Sequence, residues 1–467
     1  MVHIGGVCYC RLYIMQGRPG GIVLNFADSR KHEFRDPIYG FVKLNDWERE
    51  IVDHPAFQRL RRIKQLAWTN MVYPGAEHTR FEHSLGAMHV ATEMFNGIVS
   101  KRKQYLEQNM NYDEGGIIRD LCKLRLASLL HDVGHPPFSH ASENLMPINH
   151  NTGKAYNHED YSSAIVSLLL RDVIQNHPLN QNREFKSDDI ANFITRNPAI
   201  GRSLLWCDLL SGQLDADRAD YLLRDAHHIG VEYGRYDLNR LLVTMTIGRQ
   251  PEGEGFIIAV ENGGEHAAEG LIIARYMMFT QVYYQRTRRA YDHHIEQAIK
   301  YMLAEEQRNT DLEQKDCFPP PTSVENLDQY LRWDDWKVLG KLAEGGGGEH
   351  GEIIRNRNHY RWVHQTPEAL SPNDLELANT IIESLGSQIK FTDKADKSWY
   401  KFSKEEEIHI IHDMGSRHEK AKPLSKMSSV VKGLPTVRQI RLYSTNEKKL
   451  EVRRKIEDLR QEEGGLS

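Results

Sequence analysis

The chain has 467 residues and a formal net charge of −5, with 40% hydrophobic and 27% charged residues. This composition is typical of a globular enzyme with a substantial core, and it gives no overall attraction to nucleic acid or anionic membrane. No apolar run approaches the roughly 20 residues that cross a bilayer, and the N-terminus lacks the apolar core of a signal peptide. We therefore expect a cytoplasmic protein without a membrane segment.

Five irregularly spaced cysteines argue against a disulfide scaffold and are typical of a reducing compartment. Cys8 and Cys10 form a C-x-C pair near the N-terminus. Because no second pair accompanies them, this motif alone does not predict a metal site.

The chain divides into three predicted regions. Residues 1–31 contain many glycines and read as an extension, residues 32–305 as a helical core, and residues 306–467 as an α+β accessory region. The predicted fold class is mainly α, a helical core with short β-hairpins and a smaller α+β C-terminal region.

Apolar residues at helical spacing predict helices over much of the core, and Asp-Pro and Tyr-Gly pairs at 36–40 predict a turn between short extended pieces. A β-type run at 256–260 precedes an Asn-Gly-Gly turn, after which one long helix is expected through about residue 304. In the C-terminal region, the pattern predicts a strand at 438–443, a charged helix at 448–462, and non-helical Pro-rich and Gly-rich stretches at 319–321 and 345–348.

The segment 127–140 carries the first chemical signal. An apolar helix ends in His131-Asp132, and Gly134 and two prolines then stop it. Imidazole and carboxylate groups together suit Mn, Fe, Zn, Ni or Mg rather than an ion that prefers thiolates. A single His-Asp pair has an alternative interpretation as a buried polar helix end. A second His-Asp pair at 412–413 reads instead as a strand running into a turn.

Two further segments, 80–86 and 214–225, strengthen the metal interpretation. The first contains His83 at the start of an amphipathic pattern. If the second is helical, Asp217, Tyr221 and Asp225 share one face. Its other face carries an acidic and a basic residue four apart, for which a surface ion pair is predicted. That pair consists of Asp220 and Arg224.

Together these segments resemble the HD superfamily of metal phosphohydrolases, which is marked by a His, an adjacent His-Asp pair and a distant Asp. The resemblance is closest to the dNTP triphosphohydrolase branch, which includes the mammalian SAM- and HD-domain dNTPase, although no SAM domain is visible here. It extends in order over roughly residues 32–300. The matching segments are 36–40, 57–66, 73–76, 158–159, 224–228 and 288–291.

The resemblance implies that His83, His131, Asp132 and Asp217 hold one divalent metal ion. Mn, Fe or Mg is expected, with Zn or Ni as further options. Two neutral imidazoles and two carboxylates bring such an ion near charge balance and leave positions open for water and a phosphate oxygen.

The resemblance also implies the residues around the metal. Arg80, His135 and His140 match contacts to the α-phosphate, and His158, with Glu159 beside it, matches the candidate general acid. Histidine suits that role because its pKa lies near neutrality, although His158 could instead simply start a helix. Gln65 and Asp225 match residues that bond the deoxyribose 3′-hydroxyl, and Tyr221 and Tyr291 match aromatics that crowd the 2′ position and stack on the nucleotide. The remaining implied nucleotide contacts are Leu66, Arg218 and Asp292.

Several positions depart from the branch. Arg218 replaces a lysine that follows the metal-binding Asp, and Asp292 replaces a base-contacting glutamine. In the branch, an arginine and a histidine at a preceding position face the triphosphate and the sugar. The nearest equivalents in this sequence are Tyr283 and Thr287. These changes leave open both triphosphate recognition and base preference, and each implied tyrosine has an alternative as a core aromatic.

Regulation is a separate question. Asp53 and Arg61 match positions that bind an activating nucleotide in the mammalian enzyme, whereas His32 and Glu33 do not match their neighbours there. Asp53 and Arg61 are therefore predicted as an allosteric site only in part.

The predicted function is hydrolysis of dNTPs to deoxynucleoside and triphosphate, with water attacking the α-phosphate. The family usually forms oligomers, so a homo-oligomer, dimer or tetramer, is expected. Nucleic acid is not indicated as a partner. One alternative is an HD-type phosphatase or phosphodiesterase acting on ribonucleotides, cyclic nucleotides or nucleic-acid ends. Another is a catalytically silent nucleotide-binding regulator.

Overall fold

A computed structural model describes residues 32–251, 255–308, 316–403, 406–416 and 418–464. The predicted N-terminal extension, with Cys8 and Cys10, lies outside these residues. The described chain opens with an antiparallel hairpin of β1 (His32–Asp36) and β2 (Gly40–Leu44). Asp36 Oδ1 accepts from the backbone N–H groups of Ile38 and Tyr39, at 2.8 and 2.9 Å, which confirms the predicted turn.

Helices dominate the next two hundred residues, as the sequence predicts. They are α1 (Asp46–Asp53), α2 (Pro55–Gln58), α3 (Arg80–Met110), α4 (Glu114–Leu130), α5 (His158–Ala164), α6 (Arg171–Gln175), α7 (Ser187–Ile194), α8 (Asp208–Ser211), α9 (Ala216–Ile229) and α10 (Leu238–Thr244). A short pair, β3 (Ile148–Asn149) and β4 (Lys154–Ala155), precedes α5. Short 3₁₀ or π segments connect these helices at Arg59–Arg62, Ala67–Met71, Ser139–Leu145, Ile165–Leu169, Pro178–Asn180 and Pro198–Cys207.

The predicted strand near residue 256 is confirmed, but the single long helix after it is wrong. The elements are β5 (Met245–Arg249), β6 (Phe256–Glu261), α11 (Glu265–Met278) and α12 (Arg286–Glu306), with a 3₁₀ turn at Asn262–Gly264 and a π turn at Phe279–Tyr283. The Gln285 side chain caps α12 by accepting from the Thr287 and Arg288 N–H groups at 2.6 and 3.0 Å. The cap therefore starts a second helix where the sequence pattern predicts continuity.

The remaining chain mixes helices and strands, as predicted. The elements are α13 (Val324–Leu331), α14 (Asp335–Ala343), α15 (Gly348–Arg355), β7 (Arg361–Gln365), α16 (Pro372–Leu385), a 3₁₀ turn (Gly386–Gln388), β8 (Phe391–Lys397), β9 (His409–His412), β10 (Lys420–Pro423), α17 (Leu424–Met427), α18 (Ser429–Gly433), β11 (Val437–Ser444) and α19 (Lys449–Gly464). The predicted strand and final charged helix are thus confirmed. The second His-Asp pair ends β9 and enters a turn, with Asp413 at φ 52°.

Two larger sheets complete the fold. One has the order β10-β9-β6-β5, in which β9 runs parallel to β6. The other has the order β7-β11-β8 and is antiparallel. The mainly α fold class with a smaller α+β C-terminal region is confirmed. None of the described helices is long and apolar enough to cross a bilayer.

One hydrophobic core crosses the boundary predicted at residue 305. It contains α3 and α4 side chains together with Tyr330, Trp333 and Ile410 from the C-terminal half. A second, smaller cluster packs β7, α16, β11 and α19 against one another. The division into domains stays a prediction.

Candidate active site

Three helix termini bring the predicted metal ligands to one place. Helix α3 begins at Arg80, where the Glu82 side chain accepts from the Thr79 N–H at 3.2 Å. His83 therefore lies in the first turn of a helix that is buried over most of its length. Helix α4 ends at Leu130, so that His131 and Asp132 emerge directly from the core.

The third terminus is the start of α9. Asp215 caps this helix by accepting from the Arg218 N–H at 2.8 Å, which places Asp217 in the first turn. Gly230, with φ 73°, ends the helix in a left-handed conformation that suits glycine. The predicted helix over this segment is confirmed.

The four predicted metal ligands converge. Nε2 of His83 lies 3.0 Å from Oδ1 of Asp217 and 3.5 Å from Oδ2 of Asp132. Nε2 of His131 lies 3.4 Å from Oδ1 of Asp132 and 3.7 Å from Oδ1 of Asp217. The side chain of Asp217 is 33% exposed, whereas those of His83 and Asp132 are buried, so the cluster opens to solvent on the Asp217 side.

The two histidines present their lone pairs to the cluster. Nδ1 of His131 donates to the Ser128 carbonyl at 2.8 Å, and Nδ1 of His83 lies 2.8 Å from Oδ2 of Asp220. In both rings the buried Nε2 has no aligned hydrogen-bond partner among the described residues. Buried polar atoms are normally satisfied, and metal-binding histidines use the other ring nitrogen in this way. The donor set therefore fits a divalent ion.

Charge in the cluster supports the same fit. Burial lowers the pKa of His83, but contacts with Asp217 and Asp220 and the charge of Asp132 raise it to about 10. Burial raises the pKa of Asp132, but the neighbouring Arg80, His131 and His135 hold it well below its usual range. The carboxylates thus demand a positive charge at this point, which a divalent cation supplies.

Asp220 corrects one sequence-based prediction. Its ion pair with Arg224 exists, at 2.9 Å, but both side chains are fully buried rather than on the surface. Asp220 holds Nδ1 of His83 while Arg224 also reaches Asp36 at 2.9 Å. Asp220 therefore orients a predicted metal ligand, and an Asp and Arg four residues apart were the only sequence signal for it.

His158 forms the pair expected of a general acid, but with a different carboxylate. Its Nδ1 contacts Oε1 of Glu143, and its ring stacks on His135 with centroids 3.9 Å apart. His140 lies on the same carboxylate, with Nδ1 2.7 Å from Oε2 of Glu143. Glu159 is exposed and stays a prediction. Glu143, three residues after His140, was missed.

Arg80 joins the metal cluster to the neighbouring loop. Its guanidinium contacts Asp132 through Nη1, and Nε donates to the Ser139 hydroxyl at 2.7 Å. Ser139 in turn donates to the Lys64 carbonyl at 2.6 Å. Gln65 follows directly and is buried, with Oε1 unpaired among the described residues.

The predicted sugar contacts cluster beside the metal site. Tyr221 lies on α9 with its ring 6.4 Å from the His83 ring. Asp225, one turn further along, is buried and contacts His78 Nε2 at 2.7 Å through Oδ1. Tyr283 donates to Oδ2 of Asp225 at 2.6 Å. Both oxygens of Asp225 are therefore held, one by His78 and the other by the Tyr283 hydroxyl.

The other predicted nucleotide contacts lie deeper. Tyr291 is buried between Trp68 and His359, with ring centroids 6.0 and 4.5 Å away, and its hydroxyl has no partner among the described residues. Asp292 is buried beside two arginines, whose nearest atoms lie 3.3 and 3.4 Å away. Those arginines are Arg288 and Arg289. Leu66 is also buried, and Thr287 occupies the first turn of α12.

The other predicted contacts are less central. Arg218 is engaged with Asp215 and the Gly212 carbonyl at the start of α9. Asp53 and Arg61 are both exposed. Asp53 pairs with its helix neighbour Arg49 at 2.7 Å, and Arg61 lies 3.5 Å from the Phe81 ring centroid. As an allosteric site they stay a prediction.

Comparison with known proteins agrees with this geometry. Residues 80–224 match the family model for the HD domain, and residues 236–317 match that for the HD associated region. The chain is 35% identical over 265 residues to the uncharacterized protein YwfO of Bacillus subtilis, covering 56% of this chain and 54% of YwfO. The chain therefore spans about half the length of this relative, and 48% of the uncharacterized protein MJ1154 of Methanocaldococcus jannaschii.

Other similar proteins have names that state an activity. The deoxynucleoside triphosphate triphosphohydrolase SAMHD1 homolog of Dictyostelium discoideum is 28% identical over 379 residues, covering 76% of this chain and 67% of the relative. A phosphohydrolase of Bacteroides thetaiotaomicron has a crystal structure that matches with a TM-score of 0.65 at 25% identity, covering 89% of this chain and all of the other. Residues 80–224 are therefore an HD domain, and the chain is similar to proteins named as HD-type triphosphohydrolases and phosphohydrolases.

Proposed function

We propose that this protein hydrolyses deoxynucleoside triphosphates to a deoxynucleoside and inorganic triphosphate. The observation that carries the proposal is the convergence of His83, His131, Asp132 and Asp217, with both Nε2 lone pairs aimed at one point. Relatives named as deoxynucleoside triphosphate triphosphohydrolases support the choice of substrate.

The side chains of the site divide the chemistry between them. A divalent ion, when bound, supplies a water of lowered pKa and withdraws charge from the phosphate. His83, His131, Asp132 and Asp217 hold that ion on the side that is open to solvent. His135, His140 and Arg80 lie where they can orient the α-phosphate, as the family resemblance implies.

His158 supplies the proton of the reaction. As water oxygen bonds to the α-phosphorus, the bond from phosphorus to the 5′ oxygen breaks, and His158 protonates that leaving oxygen. Nδ1 of His158 is held by Glu143, so Nε2 is the donating atom. The water gives up one proton and the deoxynucleoside gains one, which balances the hydrolysis.

Several finer assignments belong to this proposal. The ion is Mn²⁺, Fe²⁺ or Mg²⁺, because the donor set combines imidazole and carboxylate without thiolate. Gln65, Leu66, Tyr221, Asp225, Tyr291 and Asp292 bind sugar and base, and Arg218 binds phosphate. The protein is cytoplasmic and acts as a homo-oligomer, and residues 306–467 form an accessory region.

One observation favours a second candidate. Tyr283 bonds Asp225 instead of offering a cation to a triphosphate, which suits a phosphatase or phosphodiesterase acting on smaller phosphates. A screen of all dNTPs and NTPs with manganese separates the two. Release of inorganic triphosphate supports the proposal, whereas release of orthophosphate or a nucleoside monophosphate supports the second candidate.

The variant that tests the proposed metal site is the double substitution His131→Ala with Asp132→Ala. It removes two of the four ligands, so manganese binding measured by calorimetry and turnover measured by product release are both expected to disappear. Wild-type protein that binds a nucleotide but hydrolyses none with any metal would instead be a silent regulator, and the proposed activity would be wrong.

A further inference from the structure

A strained turn carries the histidines of the proposed acid site. Phe138 and Ser139 have φ 58° and 54°, a left-handed conformation that neither residue type favours. Such backbone persists only when surrounding contacts hold it. The turn lies between His135 and His140, so its conformation sets where both rings stand.

Residues 330–335 hold this turn at three points. The Tyr330 hydroxyl donates to the Gly134 carbonyl at 2.6 Å. Arg59 bridges the next position, donating to the His135 carbonyl at 2.8 Å and to the Trp333 carbonyl at 3.0 Å. Oδ1 of Asp335 accepts from the Phe138 N–H at 2.7 Å, directly at the first strained residue.

The second oxygen of Asp335 reaches the opposite wall of the site. Oδ2 accepts from the Lys64 N–H at 2.8 Å. Lys64 precedes Gln65, and its carbonyl accepts from Ser139, which in turn accepts from Arg80. One fully buried carboxylate therefore links the histidine turn, the loop that carries a predicted sugar contact and, through Arg80, the metal ligand Asp132.

We propose that Asp335 is a positioning residue for the hydrolysis, tying the Lys64 and Phe138 amides together so that phosphate and sugar contacts keep one spacing. Asp335 lies beyond residues 80–224 and 236–317, which the family models match. This inference rests on the proposed function. It gives the C-terminal half a role in catalysis through Asp335. The Asp335 side chain itself contacts neither the proposed metal ligands nor His158, and acts only through the two backbone amides.

The test variant is Asp335→Asn. An amide offers one acceptor oxygen and turns an N–H group toward the second backbone N–H, so one of the two bonds is lost. We expect kcat for nucleotide hydrolysis to fall by about 10- to 100-fold, as for an active group displaced by about 1 Å. Manganese affinity should stay within about twofold, because the four ligands keep their own contacts.

Hydrogen exchange supplies a readout that does not depend on turnover. The Lys64 and Phe138 amides are expected to exchange faster in Asp335→Asn than in wild type, while amides in α3 and α4 keep their protection. The matched control is Asp334→Asn. Asp334 is the adjacent carboxylate, bonds Arg62 at 2.5 Å and the Lys337 N–H at 2.9 Å, and contacts neither of the two amides.

Tyr330→Phe keeps the test decisive where Asp335→Asn does not fold. It removes only the hydroxyl that holds Gly134 and keeps the ring packed on Tyr161, 4.2 Å away. A lowered kcat with an unchanged Tm supports the inference. A folded variant of either kind that turns over as fast as an active wild type overturns it. A wild type that hydrolyses no nucleotide overturns the proposed function itself.

Discussion

Glu143 determines how His158 holds its proton. Burial lowers the pKa of His158, but the contact with Glu143 raises it above the usual value. The neighbouring His135 behaves in the opposite way, because burial and the charge of Arg80 hold its pKa well below the usual value. The pKa values of the two stacked imidazoles are therefore shifted in opposite directions, as the proposed proton donor and the proposed neutral phosphate contact require.

Replacing Glu143 with glutamine tests this assignment. The change removes the charge that keeps His158 protonated, so kcat is expected to fall by about 100-fold, within the range for general acid catalysis. Because the pKa of His158 falls, the protonated form is lost at lower pH, and the basic limb of the kcat profile moves to lower pH. Steady-state rates across pH 5 to 9, about the range in which histidine titrates, measure this shift.

Glu159→Gln is the matched comparison, because it makes the same change on the exposed neighbour of His158. If Glu159→Gln moves the basic limb and Glu143→Gln leaves it in place, then Glu159, as predicted from the sequence, sets the pKa of His158, and the assignment to Glu143 is wrong. Manganese affinity of the proposed site should be unchanged in both variants, since neither side chain is one of the four proposed ligands.

The convergence of the four proposed ligands was predictable from sequence, whereas the residues that hold them in place were not. His83, His131, Asp132 and Asp217 occur in segments with a recognisable order and spacing. Asp220 and Glu143 act through contacts made by folding, and sequence periodicity alone does not tell which helix packs against the second face of α9. That face was predicted to be on the surface and is buried against α3.

At the scale of elements, the approach of α3 to α9 depends on Gly86. A Cβ placed on Gly86 would lie 2.0 Å from Oδ1 of Asp220 and 2.3 Å from Nη2 of Arg224. The absence of a side chain lets the buried ion pair lie across α3, from which Asp220 reaches His83. A glycine inside a helix normally costs stability, so its place here follows from packing.

Gly86→Ala is therefore expected to destabilise the protein. Overpacking a full core typically costs about 1–3 kcal/mol, and here the displaced atoms belong to a buried ion pair. Manganese affinity should fall as well, because Asp220 moves away from His83. Thermal unfolding and calorimetric titration measure the two effects.

Gly340→Ala provides the control for helix propensity. Gly340 lies in α14, and a Cβ there meets nothing within 4 Å. The same substitution should stabilise the protein by about 0.5–1 kcal/mol and leave manganese affinity unchanged. Equal effects of the two substitutions on Tm would contradict the packing argument for Gly86.

The sequence pattern predicted the long helices more accurately than it predicted the breaks between them. The segment 279–286 contains neither proline nor glycine, so its pattern predicts a continuous helix. The break instead reflects packing, because Tyr284 is buried and its carbonyl accepts from Arg441 of β11. A contact between residues that far apart in the chain leaves no local signal.

At the scale of the whole molecule, the two halves share a core and a sheet. Strand β9 joins β6 in parallel, and residues 330–335 hold the histidine turn. The fold class was predictable from composition and periodicity, but this pairing was not, because parallel neighbours in a sheet can come from any part of the chain. The proposed accessory region thus contacts the backbone of the segment that carries the histidines of the proposed acid site.

Buried neutral histidines predict how the whole fold responds to acid. Burial lowers the pKa to about 4 for each of four histidines spread over both halves, namely His89, His293, His359 and His364. Their packing agrees with a neutral ring. His293, for example, stacks on Phe391 with centroids 4.1 Å apart, and His364 Nδ1 accepts from Arg460 at 3.0 Å.

The sign of the effect follows from the two states. Between the unfolded pKa of about 6.5 and the folded value of about 4, the unfolded chain binds more protons. The contribution of these four rings to the free energy of unfolding should therefore be constant above pH 6.5 and fall as pH decreases to 4, by about 1.4 kcal/mol per pH unit for each proton taken up. Urea titrations of the manganese-loaded protein measure this slope, and His89→Gln should reduce it by about one proton.

The exposed His266 serves as the comparison, since His266→Gln removes no buried neutral ring. Constant stability from pH 6.5 to pH 4.5, about the window of these titrations, would show that the rings accept protons as easily in the folded protein as in the unfolded chain.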